Sequence, residues 1–321
     1  MRIAFFGSPA AALPSLERLL ASGHAVAMAV TQPDKPAGRG KSTSAPPVKA
    51  FAHDRGIRVL QPARIRNDAA FLDELRAADP DINVIVAYGQ ILPAAVIYLP
   101  RWKSVNVHFS LLPKYRGAAP VEWAILNGER NTGVTIFELN EKMDEGDTLA
   151  REKVEIRPRE TAGELEARLA DVGAGLLIGT LDQIDSLPRV PQDPSLATLA
   201  PRLKKEQGLI DWAKDAAAIE RMVRAFSPWP GAFTYWRGER LILHAGRVSG
   251  DGGPGGAPGQ VAAAGAGLAV CCGNGSVYII ERLQRENKKA LAAAEFLRGT
   301  KIAPGDVLGE NRKSGNYSSR I

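Results

Sequence analysis

The most restrictive feature of the sequence is a repeated alternation between short apolar segments and longer segments with helical periodicity. Residues 3–6 form a β-branched and aromatic run that ends in Gly-Ser-Pro, and leucines then recur at helical spacing over residues 10–20. Further strands are expected at residues 26–30, 59–60, 84–87 and 105–107, and further helices at 48–53 and about 71–75. Strands and helices that alternate in this way indicate a doubly wound, mostly parallel α/β fold of the Rossmann type.

The first turn of this fold disfavours one common class of ligand. Residues 7–12 read GSPAAA, which lacks the second and third glycines of a dinucleotide-binding turn. A nicotinamide cofactor is therefore not expected. Strands at residues 132–138 and 148–155 and a helix at 162–187 complete the predicted domain.

A change in composition indicates a second domain. Residues 188–207 contain four prolines and no sustained periodicity, which is typical of a linker. We therefore predict a first domain over residues 1–189, a linker over 190–207 and a second domain over 208–321. After a helix at 216–225, short β segments with glycine-rich turns are expected at residues 232–236, 240–244, 259–262, 268–272 and 277–283. This pattern predicts a small antiparallel barrel or sandwich, with an OB-like barrel preferred.

The net charge of +6 is not spread evenly along the chain. Residues 1–190 carry 23 Lys and Arg against 23 Asp and Glu, whereas residues 191–321 carry 18 against 12. A basic domain joined to a neutral one favours a polyanionic partner, because contacts with phosphates release counterions. The alternative is a basic surface that serves only solubility.

Several classes of protein are disfavoured. The two cysteines, Cys271 and Cys272, are adjacent and have no histidine at metal-binding spacing, so neither a disulfide framework nor a metal site is expected. The longest apolar stretch, residues 82–99, is interrupted by polar residues, glycine and proline, and it does not predict a membrane span. The first apolar run is too short for a signal peptide. We expect a cytoplasmic, monomeric protein.

Two polar residues lie on one predicted strand, at the end where ligands bind in this fold. Asn106 and His108 are two residues apart, so both side chains project from the same face. A single histidine at a strand end is commonly structural, but here a loop rich in Gly, Pro and polar residues follows over residues 110–120. About 36 residues after His108, Asp144 lies on a second, glycine-containing loop. An amide, an imidazole and a carboxylate are thus candidates for one active site.

These loops contain long and specific motifs. Residues 106–120 read NVHFSLLPKYRGAAP and residues 143–149 read MDEGDTL; further motifs are TQPDKPAGRG at 31–40, AYGQILP at 87–93, LIDW at 209–212 and AFSPWP at 225–230. In these motifs, which extend through both domains, the chain resembles the folate-dependent formyltransferase family, in particular its branch that acts on methionyl-tRNA. Phe109 is a departure, since that branch usually has glycine there.

The resemblance implies transfer of the formyl group of 10-formyltetrahydrofolate to the α-amino group of initiator methionyl-tRNA, for the start of protein synthesis. Asn106 and a charged His108 would stabilise the oxyanion that forms at the formyl carbon, and Asp144 would hold His108 in its charged form. We call these three residues the catalytic trio. The resemblance also implies folate contacts from residues 138–144 and from two loops, with the candidates Tyr88, Gly89, Gln90, Ile91 and Leu92 on one loop and Ser110, Leu111, Leu112 and Pro113 on the other.

The resemblance further implies where tRNA binds. The loop of residues 32–45 corresponds to one that enters the acceptor stem, and the basic second domain offers additional cations. The candidate tRNA-binding residues are Lys35, Arg39, Lys41, Lys204, Lys205, Arg221 and Arg224. Two alternatives stay open: an amino-sugar-nucleotide formyltransferase with the same catalytic domain, and an inactive tRNA-binding protein, which the intact catalytic trio disfavours.

Overall fold

The chain forms two compact units that alternate along the sequence. A computed structural model describes residues 1–36, 43–250 and 255–309. The N-terminal unit comprises Met1–Val121, Arg130–Ile156 and Glu164–Arg202, and the C-terminal unit comprises Glu122–Glu129, Arg157–Gly163 and Leu203–Ile321. The domain limits expected from the sequence, at residues 189 and 207, stay predictions.

The described residues form the following regular elements. The strands are β1 (Arg2–Gly7), β2 (Ala25–Val30), β3 (Lys35–Pro36), β4 (Thr43–Ser44), β5 (Val59–Leu60), β6 (Ile82–Val86), β7 (Ser104–His108), β8 (Arg116–Gly117), β9 (Asn131–Glu138), β10 (Thr148–Glu155), β11 (Leu199–Ala200), β12 (Ala232–Trp236), β13 (Glu239–Val248), β14 (Val261–Ala264), β15 (Leu268–Cys271), β16 (Val277–Arg285) and β17 (Leu291–Ala292). The α-helices are α1 (Leu13–Ala21), α2 (Pro47–His53), α3 (Ala69–Ala77), α4 (Ala94–Ile97), α5 (Pro120–Leu126), α6 (Ala162–Asp182), α7 (Ala216–Ala225) and α8 (Ala293–Arg298). Within these described residues, no helix combines the length and the apolar character needed to cross a membrane.

The N-terminal unit is built on a seven-stranded sheet, as far as the described residues go, in the order β10-β9-β7-β6-β1-β2-β5. The five strands β7, β6, β1, β2 and β5 are parallel, whereas β9 pairs antiparallel with β7 and with the edge strand β10. Every residue of β6 is buried, as expected for an apolar strand covered on both faces. The doubly wound, mostly parallel fold predicted from the sequence is confirmed.

The strand order determines where a ligand site is expected. Strand β1 pairs with β2 on one side and with β6 on the other, so the winding of the sheet changes direction between β1 and β6. Ligands of such folds bind at this switch, outside the carboxyl ends of the strands. The loops that follow β6 and β7 both begin at this edge of the sheet, and both belong to the motifs noted above.

Helix α6 packs closely on one face of β7. A Cβ atom on Gly173 would lie 2.8 Å from Cγ1 of Val107 and 3.7 Å from Cε1 of Phe109. Val107 and the buried Phe109 therefore face α6, and the period of two along a strand leaves Asn106 and His108 on the opposite face. The unusual Phe109 thus contributes to the core beneath the helix and does not project beside the histidine.

The C-terminal unit contains an antiparallel sheet in the order β12-β13-β16-β15-β14, with β17 paired to β16. Helix α7 covers this sheet, and Ile219 and Val223 of the helix share a buried core with Tyr278. Asp215 caps the helix by accepting a hydrogen bond from the N–H of Ala218. The small antiparallel β domain predicted from the sequence is confirmed.

Candidate active site

Asn106 and His108 both project from the face of β7 opposite α6, and the sequence predicts that they share a face. In the ladder with β9 they pair with Phe137 and Thr135. Because the two residues are two positions apart in a strand, their Cα atoms are about 6.6 Å apart. His108 is buried and Asn106 is half-buried. Within the described part of the chain, the Asn106 carboxamide has no hydrogen-bond partner, so its N–H groups are available to a bound molecule.

The two ring nitrogens of His108 face different protein atoms. Nε2 lies 2.9 Å from the carbonyl oxygen of Tyr115, and because a carbonyl oxygen only accepts, Nε2 carries the proton of this hydrogen bond. Nδ1 lies 3.8 Å from Oδ2 of Asp144, which is within the range of an ion pair but longer than a hydrogen bond. The ring of Phe137 packs edge-on against the imidazole, with ring centroids 6.3 Å apart. Nδ1 is therefore the ring atom that can exchange a proton with a substrate.

Asp144 lies on the loop between β9 and β10, which close backbone contacts hold in shape. Its φ of 50° is in the left-handed region, which aspartate adopts more readily than most residues. Its Oδ2 accepts a hydrogen bond of 2.8 Å from the backbone N–H of Gly117. Two residues later, a Cβ atom on Gly146 would lie 1.7 Å from the carbonyl oxygen of Glu138. Only glycine fits at that position, which explains the glycine two residues after the aspartate.

The segment after β7 is fixed by hydrogen bonds to its own backbone and to β9. The Oγ of Ser110 donates to the carbonyl oxygen of Lys114 at 2.6 Å. The hydroxyl of Thr135 accepts from the N–H of Leu112 at 3.1 Å and donates to the carbonyl oxygen of Ser110 at 2.7 Å. The folate candidates on this segment are half-buried at Leu111 and buried at Ser110, Leu112 and Pro113. Folate contact by this loop stays a prediction.

The loop after β6 offers backbone groups more than side chains to a ligand. Tyr88 is buried against Phe6, with ring centroids 5.5 Å apart, and burial raises the pKa of its hydroxyl. Gln90 directs its carboxamide to backbone groups of residues 62–65. Ile91, in contrast, is 88% exposed. The remaining positions are a glycine with positive φ and a buried leucine, Gly89 and Leu92. Folate contact here also stays a prediction.

Three of the predicted tRNA-binding residues are exposed lysines. Lys35 begins the β3–β4 hairpin of the N-terminal unit, and Lys204 and Lys205 precede and begin a short 3-10 helix of the C-terminal unit. Arg39 and Lys41 lie outside the described residues. The part of these residues in tRNA binding stays a prediction.

The two predicted arginines on α7 already have protein partners. Arg221 donates from Nε to the carbonyl oxygen of Leu126 at 3.3 Å. Arg224 pairs with the carboxylate of Glu220, at 2.6 Å from its Nε, and donates from Nη1 to the carbonyl oxygen of Glu160. Contact of either arginine with a phosphate would require these partners to be shared or exchanged.

Two residues that hold this site together were not predicted from the sequence. Thr135 lies opposite His108 on β9, and the period of two along that strand is a signal that could have indicated its position. Gln192 lies within the predicted linker, yet its buried side chain reaches the Asp144 loop. No local sequence pattern indicates that Gln192 belongs to the site. Among the residues that the structure describes, no cluster of His, Cys, Asp or Glu has the composition of a metal site.

Comparison of the sequence with known families gives matches over both units. The family described as "Formyl transferase" matches residues 1–181, and "Formyl transferase, C-terminal domain" matches residues 202–301. Methionyl-tRNA formyltransferase of Geotalea uraniireducens is 47% identical over 313 residues, which cover 97% of this chain and 98% of the relative. The protein of the same name from Citrifermentans bemidjiense is 45% identical over 318 residues, covering 98% of each chain.

Solved structures share the fold at lower identity. An N-formyltransferase from Helicobacter canadensis, in complex with folinic acid and dTDP-3-aminofucose, has a TM-score of 0.65 and 18% identity, over 88% of this chain and 98% of its own. Methionyl-tRNA formyltransferase from Clostridium thermocellum has a TM-score of 0.56 and 17% identity, over 78% and 94%. With the family matches spanning both units and with relatives near half identical over their whole length, the chain belongs to the formyl transferase family.

Proposed function

We propose that the protein transfers the formyl group of 10-formyltetrahydrofolate to the α-amino group of initiator methionyl-tRNA. One observation carries this conclusion: relatives 45–47% identical over nearly the whole of both chains are methionyl-tRNA formyltransferases. The protein is accordingly an enzyme of translation initiation. We also infer that it acts in the cytoplasm, where initiator tRNA is charged and used, and that it acts as a monomer.

The chemistry of formyl transfer defines what the site must supply. The amine nitrogen forms a bond to the formyl carbon, and the bond from that carbon to the folate nitrogen then breaks. The amine loses a proton, and the folate nitrogen takes the electron pair of the broken bond and a proton. In the transition state the formyl oxygen carries negative charge, so hydrogen-bond donors placed in advance lower the barrier.

The catalytic trio can meet these demands, with Asn106 and His108 on one face of β7 and Asp144 on the loop between β9 and β10. The free carboxamide N–H of Asn106 is a donor for the developing oxyanion. His108, with Nε2–H directed to the Tyr115 carbonyl, has Nδ1 left to take the amine proton or, when protonated, to donate to the oxyanion. The carboxylate of Asp144 lies 3.8 Å from Nδ1, where it can pair with the imidazolium that forms when the ring takes the amine proton. The distance is long for a hydrogen bond, and such contacts commonly shorten when substrate binds.

The loops after β6 and β7 suit a flat, polar heterocycle. The loop from Tyr88 to Leu92 starts at the switch point of the sheet and has most of its side chains engaged by the protein, so a pterin ring would be read mainly by backbone groups. The carbonyl oxygen of Tyr88 already accepts a hydrogen bond from Gln32. Ser110–Pro113 forms the neighbouring loop. Transfer of a formyl group from a folate fits these two loops.

Methionyl-tRNA is favoured over the alternative acceptor, an amino-sugar nucleotide. The sugar formyltransferase that shares this fold is 18% identical, which is evidence of fold only, whereas the relatives named for methionyl-tRNA match through both units. The whole net positive charge also lies beyond residue 190. Contacts with the phosphates of a polyanionic acceptor would explain this positive charge, whereas binding of a small sugar nucleotide would not.

The test is a formylation assay with charged initiator tRNA and 10-formyltetrahydrofolate, in which formylmethionine is measured after deacylation. We expect turnover by the native protein, and a fall in kcat of about 100- to 10,000-fold for His108→Ala and for Asp144→Asn. His53→Ala removes a histidine whose side chain is 85% exposed and serves as the matched control at the native rate.

The outcomes separate the candidate functions. A His108→Ala protein that formylates at the native rate would contradict the assignment of the site. Formylation of an amino-sugar nucleotide, with none of methionyl-tRNA, would favour the alternative acceptor. Binding of tRNA without folate turnover would leave the inactive tRNA-binding protein. An apparent affinity for tRNA that falls steeply with salt would support the proposed acceptor.

A further inference from the structure

A buried glutamine outside the catalytic motifs binds the loop that carries Asp144. The Nε2 of Gln192 donates to two carbonyl oxygens of that loop, at 2.9 Å to Asp144 and 2.8 Å to Gly146. Its Oε1 accepts two hydrogen bonds from the buried guanidinium of Arg116, at 3.1 Å from Nε and 2.8 Å from Nη2. Gln192 is thus held by four hydrogen bonds at a buried position.

The orientation of the Gln192 amide follows from its partners. A guanidinium only donates and a carbonyl oxygen only accepts, so Oε1 must face Arg116 and Nε2 must face the loop. Rotating the amide by half a turn would set donors against donors and acceptors against acceptors. Buried polar groups left without partners are destabilising, so the observed orientation is strongly preferred. The Arg116 guanidinium also forms an ion pair with Glu145, whose Oε2 lies 3.5 Å from Nη1.

Residues 115–117 contact both His108 and Asp144. The carbonyl oxygen of Tyr115 accepts from Nε2 of His108, and the N–H of Gly117 donates to Oδ2 of Asp144. Arg116 lies between these two residues and binds Gln192. Asp144 is therefore held at its carboxylate by Gly117 and at its carbonyl by Gln192, and the position of the carboxylate is set from both ends.

The segment that carries Gln192 is itself attached to residues 115–117. Strand β11 pairs in parallel with β8, where the N–H of Arg116 donates to the carbonyl oxygen of Thr198 at 2.8 Å. The hydroxyl of Thr198 accepts from the N–H of Tyr115, also at 2.8 Å. A Cβ atom on Gly117 would lie 2.6 Å from the carbonyl oxygen of Ala200, so the two strands approach as closely as glycine allows. Gln192 thus extends from a fixed base.

We propose that Gln192 is a positioning residue for formyl transfer, which sets the distance between the Asp144 carboxylate and His108 by holding the loop of residues 144–146 against Arg116. This inference rests on the proposed roles of His108 and Asp144. It assigns a function in the reaction to the segment between the two family domains.

The experiment replaces Gln192 in the full-length enzyme and measures steady-state formylation of methionyl-tRNA. Gln192→Met keeps the length of the side chain and removes its four hydrogen bonds. Gln192→Glu keeps an acceptor for Arg116 but places an oxygen where the two loop carbonyls need a donor. For both variants we expect kcat to fall about 10- to 100-fold, because displacements near 1 Å in an active site have effects of this size. We expect KM for tRNA to change by less than about 3-fold.

A double-mutant cycle separates positioning from general destabilisation. If Gln192 acts through Asp144, then Gln192→Met lowers kcat in the native background but by less than about 2-fold in an Asp144→Asn background. Gln284→Met is the matched control, since its Nε2 donates to a carbonyl oxygen and its Oε1 faces a histidine nitrogen in the C-terminal unit. We expect Gln284→Met to leave kcat unchanged, both in the native background and in the Asp144→Asn background.

The possible results divide clearly. Equal effects of Gln192→Met in the two backgrounds, or a native kcat for Gln192→Glu, would overturn the inference. If Gln192→Met does not fold, Gln192→Glu alone decides, since it retains a charged partner for Arg116. A slow Asp144→Asn enzyme beside native-rate Gln192 variants would overturn the inference and leave the proposed function intact. A native rate for Asp144→Asn would overturn the proposed role of Asp144, and this inference with it.

Discussion

Gly146→Ala is the substitution with which the geometry of the Asp144 loop can be tested most sharply. The added Cβ would lie 1.7 Å from the Glu138 carbonyl oxygen, and real Cβ contacts begin at 3.0 Å, so the backbones must separate by about 1.3 Å. The obstacle is backbone, so no side chain can rotate away to relieve it. A displacement of this size two residues from Asp144 should lower kcat/KM about 100-fold, equivalent to about 2.7 kcal/mol of transition-state stabilisation.

The control is Gly179→Ala in α6, where a Cβ meets no atom of the described residues outside its own helix within 4 Å. Alanine in a helix interior is favoured over glycine by about 0.5–1 kcal/mol, so this variant should be at least as stable as the native enzyme and equally active. Both variants are compared by steady-state formylation and by thermal unfolding, with rates corrected for the folded fraction. If Gly146→Ala is folded and within about 3-fold of the native kcat/KM, the loop does not require the geometry described.

Three further predictions concern groups outside the reacting centre. Phe109→Ala should lower the free energy of unfolding by about 3–5 kcal/mol, because the ring is buried, and should leave kcat of the folded enzyme unchanged, because it faces away from His108; urea denaturation and formylation kinetics check both parts. Burial raises the pKa of the Cys272 thiol to about 11, so iodoacetamide at pH 8 should leave Cys272 unmodified in the native protein, and mass spectrometry showing prompt alkylation would contradict this. The hydrogen bond from the N–H of Ala303 holds the pKa of Asp306 below its usual 3.8. Asp306 therefore contributes stability that is present above pH 3.8 and is lost as the pH falls towards the lower folded-state pKa. Asp306→Asn should lose less stability in acid than the native protein, as measured by unfolding at a series of pH values.

Elements with a clear local pattern were predictable from the sequence almost to the residue. Strand β10 and helix α7 have the predicted limits, Thr148–Glu155 and Ala216–Ala225. In α7 these limits follow from apolar residues at helical spacing. Helix α6 ends at Asp182, five residues before the predicted end, since the chain turns through bonds of the i to i−3 type there. The paired strands β8 and β11 have two residues each, which is too few to show a period.

The catalytic trio was predictable to different degrees. Asn106 and His108 share a face because strand residues alternate, and this requires only that the strand be recognised. Asp144 lies far from them in the chain, and a carboxylate on a glycine-containing loop has no local feature that directs it to an imidazole. Its assignment depended on the family resemblance, and the structure then brings its Oδ2 to 3.8 Å from Nδ1 of His108.

The contacts that hold the site together escaped prediction for a physical reason: most of their partners are main-chain atoms. His108 binds the carbonyl oxygen of Tyr115, Asp144 accepts from the N–H of Gly117, and Gln192 donates to two loop carbonyls. Every residue carries such groups, so the sequence does not distinguish the ones that are used. Replacement of side chains one at a time would also miss them. Substitutions that displace the backbone, such as Gly146→Ala, should therefore impair catalysis as severely as loss of a reacting side chain, although Gly146 offers no side chain to the reaction.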